Sequence, residues 1–139
     1  MTDTATLQEL LERLRLAEGP DRALDWSLFL LNPPPTFGGH HIARYVWKGD
    51  SVAVHVESGG FYQEAFSLPS YTGSLEAALE LVGRFYSQRI VRVQQPGWAE
   101  IAFPDGRRFE ADHIAGPALA VLLALMKAKI AEGSTHVRA

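Results

Sequence analysis

At 139 residues, 47% of them hydrophobic and none of them cysteine, this chain is long enough to bury about two thirds of its unfolded surface in one domain, without disulfides or Cys-based metal sites. With 13 Lys and Arg against 16 Asp and Glu the formal charge is −3, which excludes a global basic field for nucleic acid or an anionic membrane. The first residues, MTDTATLQELLERL, are acidic where a secretion signal is basic. The longest apolar run, Ala118 to Met126, falls well short of the roughly 20 residues of a bilayer span, so a cytoplasmic protein is expected.

Leu7, Leu10, Leu11 and Leu14 share one stripe, and Thr6 and Glu9 have capping-box spacing. Gly19-Pro20 is a stop, so the first helix is expected from Thr6 to Glu18. Pro20 suits the first turn of a second helix, with Asp21 at its positive end and Leu24, Leu28 and Leu31 on one face. Trp26 and Phe29 fall partly off that face, so this helix is apolar around much of its circumference and meets either the fold or another chain. Pro33-Pro34-Pro35 cannot continue a helix, and residues 32 to 41, NPPPTFGGHH, read as a loop.

The apolar period then changes from 3.6 to 2. Ala43, Tyr45 and Trp47 take one side of a strand, Lys48-Gly49-Asp50 is a turn, and Val52, Val54 and Val56 alternate along a half-buried second strand. Gly59-Gly60 leads to a weaker strand from Phe61 to Phe66. A helix then opens at SYTGSLEAALELV, with Leu75, Ala78, Leu79, Val82 and Phe85 inward. Three strands follow, Arg89 to Gln94, Trp98 to Phe103 and Arg107 to Asp112, joined at Pro96-Gly97 and Pro104-Asp105-Gly106. Gly116-Pro117 starts a last helix, apolar on nearly every side and so expected deep against the sheet. Gly133 is expected to end it, leaving 134 to 139 as a tail beyond an ordered core of about 6 to 132. The expectation is one α+β domain, a layered α-β-α sandwich with a mainly antiparallel sheet packed by helices.

No motif names a reaction. Thr72-Gly73-Ser74 stands where a phosphate loop could, but has one glycine and no adjacent cation, whereas Ser74 is a good N-cap for the same NH groups; capping is the better reading. His40, His41, His55 and Asp50 could gather around a metal, yet no HExxH or His-x-His spacing puts two ligands on one face. Asp112-His113 are strand neighbours that face opposite ways, with no serine nucleophile placed beside them. Arg84, Arg89, Arg92, Arg107 and Arg108, with Tyr86 and Trp98 to stack bases, could form a nucleic-acid face, though Glu100 and Glu110 on the same hairpin would neutralise it.

Three stretches, GPDRALDWSLFLL (Gly19 to Leu31), YTGSLEAALELV (Tyr71 to Val82) and AGPALAVLLALMKAKI (Ala115 to Ile130), together resemble the phage ABA sandwich domain, a family of short proteins of phages and prophages. The resemblance runs from about Leu7 to Ala131. It implies helix, sheet and helix layers and a helix start at Tyr71-Thr72-Gly73-Ser74, but no reaction and no catalytic residues. Trp26 and Ser27 depart from the more acidic continuation that resemblance leads one to expect after RALD.

The expected function is that of a phage or prophage accessory protein in the host cytoplasm, of unassigned biochemistry, that binds a protein of the phage or host, without catalysis or cofactor. Trp26, Phe29, Phe37, His40 and His41 are the expected binding residues. Self-association is a further expectation, and no membrane or nucleic-acid partner is expected. The alternatives are a metal-dependent enzyme built on the His/Asp cluster and a nucleic-acid binder built on the arginines.

Overall fold

The structure is a computed structural model that describes the backbone of residues 4–138 and the side chains of residues 4–133. In chain order the elements are α1 (Thr4–Leu16), α2 (Arg22–Phe29), β1 (Thr36–Phe37), β2 (His40–Lys48), β3 (Ser51–Val56), β4 (Phe61–Ser67), α3 (Leu75–Phe85), β5 (Ile90–Gln94), β6 (Trp98–Ala102), β7 (Arg108–Asp112) and α4 (Pro117–Arg138). All strand pairs are antiparallel, in two sheets ordered β1-β2-β3-β4 and β5-β6-β7. The protein is of the α+β class, with antiparallel strands packed by helices. Its contacts divide into two compact units, Asp25–Pro69 and the described residues on either side of that segment.

In the unit formed by the flanking segments, α4 touches all three strands of its sheet and also α1 and α3. With neighbours on every side, an amphipathic helix would leave polar groups without water. The unbroken run Leu119 to Met126, buried at every position, is the sequence that such a place requires. Leu7, Leu10 and Leu14 supply the buried stripe of α1. On the sheet, Val91, Val93, Ala99, Ile101, Phe109 and Ala111 share a face through the register, and Ala99, Ile101 and Ala111 are buried there. The aromatic rings of Tyr86, Phe103 and Phe109 pack edge to face beside them, with Lys129 over Phe85 and Arg107 over Phe103.

Several boundaries differ from the sequence reading. Helix α1 already includes Thr4, so Thr6 lies within the helix and does not cap it. Asp21 precedes α2 and caps it, its carboxylate accepting the Leu24 NH at 3.1 Å, while Pro20 stays outside. After Phe29 the chain tightens, Leu31 NH reaching Leu28 O and Asn32 NH reaching Phe29 O, so Leu31 leaves the helix just ahead of the prolines. Gly133 does not stop α4. A glycine costs a helix only about 1 kcal/mol, and a Cβ here would lie 3.1 Å from Thr4 Oγ1. The expected tail is thereby helical as far as Arg138, and Ala139 lies outside the described residues.

The Asp25–Pro69 unit holds the four-stranded sheet. Residues 32 to 41 are not all loop: Thr36 pairs with His41 and Phe37 with His40 about a two-residue turn. That turn has φ of 57° at Gly38 and 83° at Gly39, the left-handed pair that a tight hairpin demands. Strand β3 is also more than half-buried, with Val52, Ala53, Val54 and Val56 all enclosed, because it has a hydrogen-bonded neighbour along each edge.

Candidate binding surface

The register of the four-stranded sheet brings large aromatic residues to one face. Tyr45 pairs with Val54 and Trp47 with Val52, and Val52 and Val54 pair in turn with Phe66 and Tyr62 on the other edge. A bulge between the β3 and β4 pairs leaves both Phe66 and Tyr62 opposite valines of this face. Helix residues Trp26 and Phe29 lie over it. Trp26 stacks on Phe29 with ring centroids 5.7 Å apart and on Trp47 at 6.2 Å. Phe29 meets Tyr45 and Phe66, and Phe37 joins Phe66 at 5.6 Å to Tyr62 at 5.0 Å. Seven rings thus form one continuous network, from Trp47 at one end to Tyr62 at the other.

Exposure is graded along it. Phe29 is buried, whereas Trp47 is 38% and Tyr62 40% exposed. The Trp47 indole NH donates to Gly49 O at 2.6 Å, which fixes the ring over the β2–β3 turn. The Tyr45 hydroxyl donates to Pro34 O, and burial pushes its phenol up from its ordinary pKa. The triple proline is thereby tied to the sheet that carries the rings.

Comparison of the chain with protein-family models, curated proteins and solved structures finds no match.

Of the five residues expected to bind, Trp26, Phe29 and Phe37 are in the network. His40 and His41 stand at the Gly38-Gly39 hairpin, His40 Nδ1 3.3 Å from Ser58 Oγ, and neither imidazole is among the stacked rings. Tyr45, Trp47, Tyr62 and Phe66 were missing from that set. Their shared face follows from strand pairing, and the two-residue spacing of Tyr45 and Trp47 was its one visible trace.

The proposed metal ligands do not converge. Asp50 sits in the turn after β2 and His40 begins that strand, so the nine-residue strand separates them by about 25 Å at its usual rise. His55 accepts from Arg44 across the β2–β3 pair, Arg44 Nη2 lying 2.9 Å from His55 Nε2, and its ring lies 4.5 Å from Phe61. Among the described residues no three His, Asp or Glu side chains gather as metal ligands would.

In the other unit, His113 is buried and structural: its Nε2 is 2.8 Å from Leu14 O and its Nδ1 accepts from Ala115 NH at 3.0 Å, which assigns the Nε2–H tautomer. The arginine face is partly neutralised, Arg92 lying 3.9 Å from Glu100 and Arg107 2.7 Å from Asp105. At the opening of α3, Ser74 has extended φ and ψ of −133° and 120°, and its hydroxyl accepts the Ala77 NH at 3.2 Å. The hydroxyl does the capping that its position suggested.

Proposed function

We propose that this chain is an accessory protein that works by binding another protein through the aromatic face of the Asp25–Pro69 unit. The observation that supports this reading is the run of seven rings whose two ends, Trp47 and Tyr62, are open to solvent while its middle is packed. Trp and Tyr are the residues that most often dominate protein interfaces, because each buries a large area at the loss of few rotatable bonds. Trp47 is already oriented by the Gly49 hydrogen bond and by Trp26, so binding would order little that is not ordered before contact. The phage or prophage setting rests on the three resembling stretches alone.

The test compares wild type with a Trp47→Ser, Tyr62→Ser double variant whose urea melt confirms an intact fold. Proteins captured from lysogenic host lysate by wild type alone would be purified and titrated against both. The reading requires a partner whose Kd rises at least about tenfold in the double variant, the loss expected of a central aromatic anchor. A partner that binds both proteins equally would overturn it. So would a dimer of this chain that dissociates only in the variant, since the face would then be committed to a second copy.

A further inference from the structure

We infer that the unit formed by the flanking segments carries a second site, a pocket for one arginine side chain of a partner polypeptide, formed by Trp98, Asp112, Pro96 and Ile114. This inference does not depend on the aromatic face. The pocket has a volume of about 280 Å³ and lies where the β5–β6 turn meets the end of β7. Small-molecule sites occupy roughly 300–1,000 Å³, so this one is of a size for a single side chain.

Its walls are held in place. His113 NH donates to Gly97 O at 2.7 Å, and a Cβ at Gly97 would stand 2.0 Å from His113 O, so the two chain segments touch backbone to backbone. The His113 ring turns inward to Leu14 O and takes the Ala115 NH. Ile114, next in sequence, is directed outward and is fully exposed, the most exposed large apolar side chain of the described residues. An apolar wall without cover beside an indole and a free carboxylate is an arrangement that folding does not require.

The charge pattern selects the occupant. Cross-strand pairs share a face, so Gln94, Trp98 and Asp112 form one row, and Arg92, Glu100 and Glu110 the next. On this face Asp112, Glu110 and the buried Glu100 outnumber Arg92 and, one row further on, Arg108, and Asp112 is the carboxylate at the pocket. Arg92 is 3.9 Å from Glu100, whose buried Oε1 has no hydrogen bond. Lys127 is committed to the Glu110 carbonyl at 2.8 Å, and among the described residues Asp112 has no ion-pair partner. A cation is the complementary ligand. A guanidinium suits the site better than an ammonium, because its plane stacks on an indole while its edge offers paired NH groups to a carboxylate.

The experiment is an NMR titration of the full chain with a capped Gly/Ser peptide carrying one central arginine, following the Trp98 indole NH and the Ile114 amide. The control peptide carries citrulline, which keeps the shape and removes the charge. The inference requires saturable shifts at both positions at millimolar peptide. It also requires binding at least about fivefold weaker with citrulline and in Asp112→Asn, as for a contact with a charged partner. Equal shifts with citrulline, equal affinity in Asp112→Asn, or no shift at about 20 mM peptide would each overturn it. The citrulline comparison uses the unaltered protein, so it decides the matter whatever the variant does to the fold.

Discussion

Single atoms decide several features of this chain. At Ser74 one hydroxyl satisfies an NH that the helix itself cannot pair, so Ser74→Ala should lower stability by about 1 kcal/mol. Ser74→Asp should be nearly neutral, since a carboxylate accepts the same NH and suits the helix dipole. Urea denaturation of the two variants checks both; equal losses would show that the hydroxyl is not acting as a cap. Tyr86 gives a pH signature. Burial first, and then its hydrogen bond to Glu132 at 2.9 Å, push its phenol well above the ordinary tyrosine value. Ionising it in place would bury a phenolate beside a carboxylate. The unfolded chain loses this proton first, so the contribution is complete below about pH 10 and is lost as pH rises through the folded value. Stability measured between about pH 9 and about pH 12 should therefore fall more steeply in wild type than in Tyr86→Phe. Parallel slopes would remove Tyr86 as the cause.

Among the elements, α4 has the most to lose. Leu122 is wholly buried where the helix has neighbours on every side, and Leu122→Ala should cost about 2–5 kcal/mol through lost transfer energy and the cavity left behind. A change below about 0.5 kcal/mol in urea melts would contradict a central α4. Strand β3 shows how neighbours alter a reading. Its alternating valines suggest one covered face, yet Ala53 on the other face is buried as well, because β2 and β4 flank it. The Gly38-Gly39 hairpin makes the same point from the other side. Two consecutive glycines after a proline run look like slack, but paired left-handed φ values let Phe37 return beside His40 and bring its ring to Phe66.

For the molecule as a whole, no cysteine is present, so no disulfide contributes to its stability, and no group of three or more His, Asp or Glu side chains that could hold a metal is found among the described residues. Removal of divalent metals with EDTA should leave the thermal midpoint unchanged, whereas folding coupled to a metal would lower it sharply. A fall of several degrees, restored by zinc or manganese, would show that folding is coupled to a bound metal. No helix of the described residues is long and apolar enough to cross a membrane.

Local chemistry was enough for much of this protein. Period-two valines, Pro-Gly turns, the Ser74 cap and the uninterrupted apolar run of α4 each act within a few residues, and so the α+β class and the place of α4 were legible in the sequence. What needed the tertiary structure lies far apart along the chain. His113 is explained by Leu14, 99 residues earlier, and no spacing could have shown that its ring was already satisfied. Likewise, the aromatic surface joins rings from a helix, a hairpin and both outer parts of a sheet. Only strand register, set by pairing and by the bulge in β4, decides that Tyr45, Trp47, Tyr62 and Phe66 face Trp26 and Phe29 while His55 turns to Phe61.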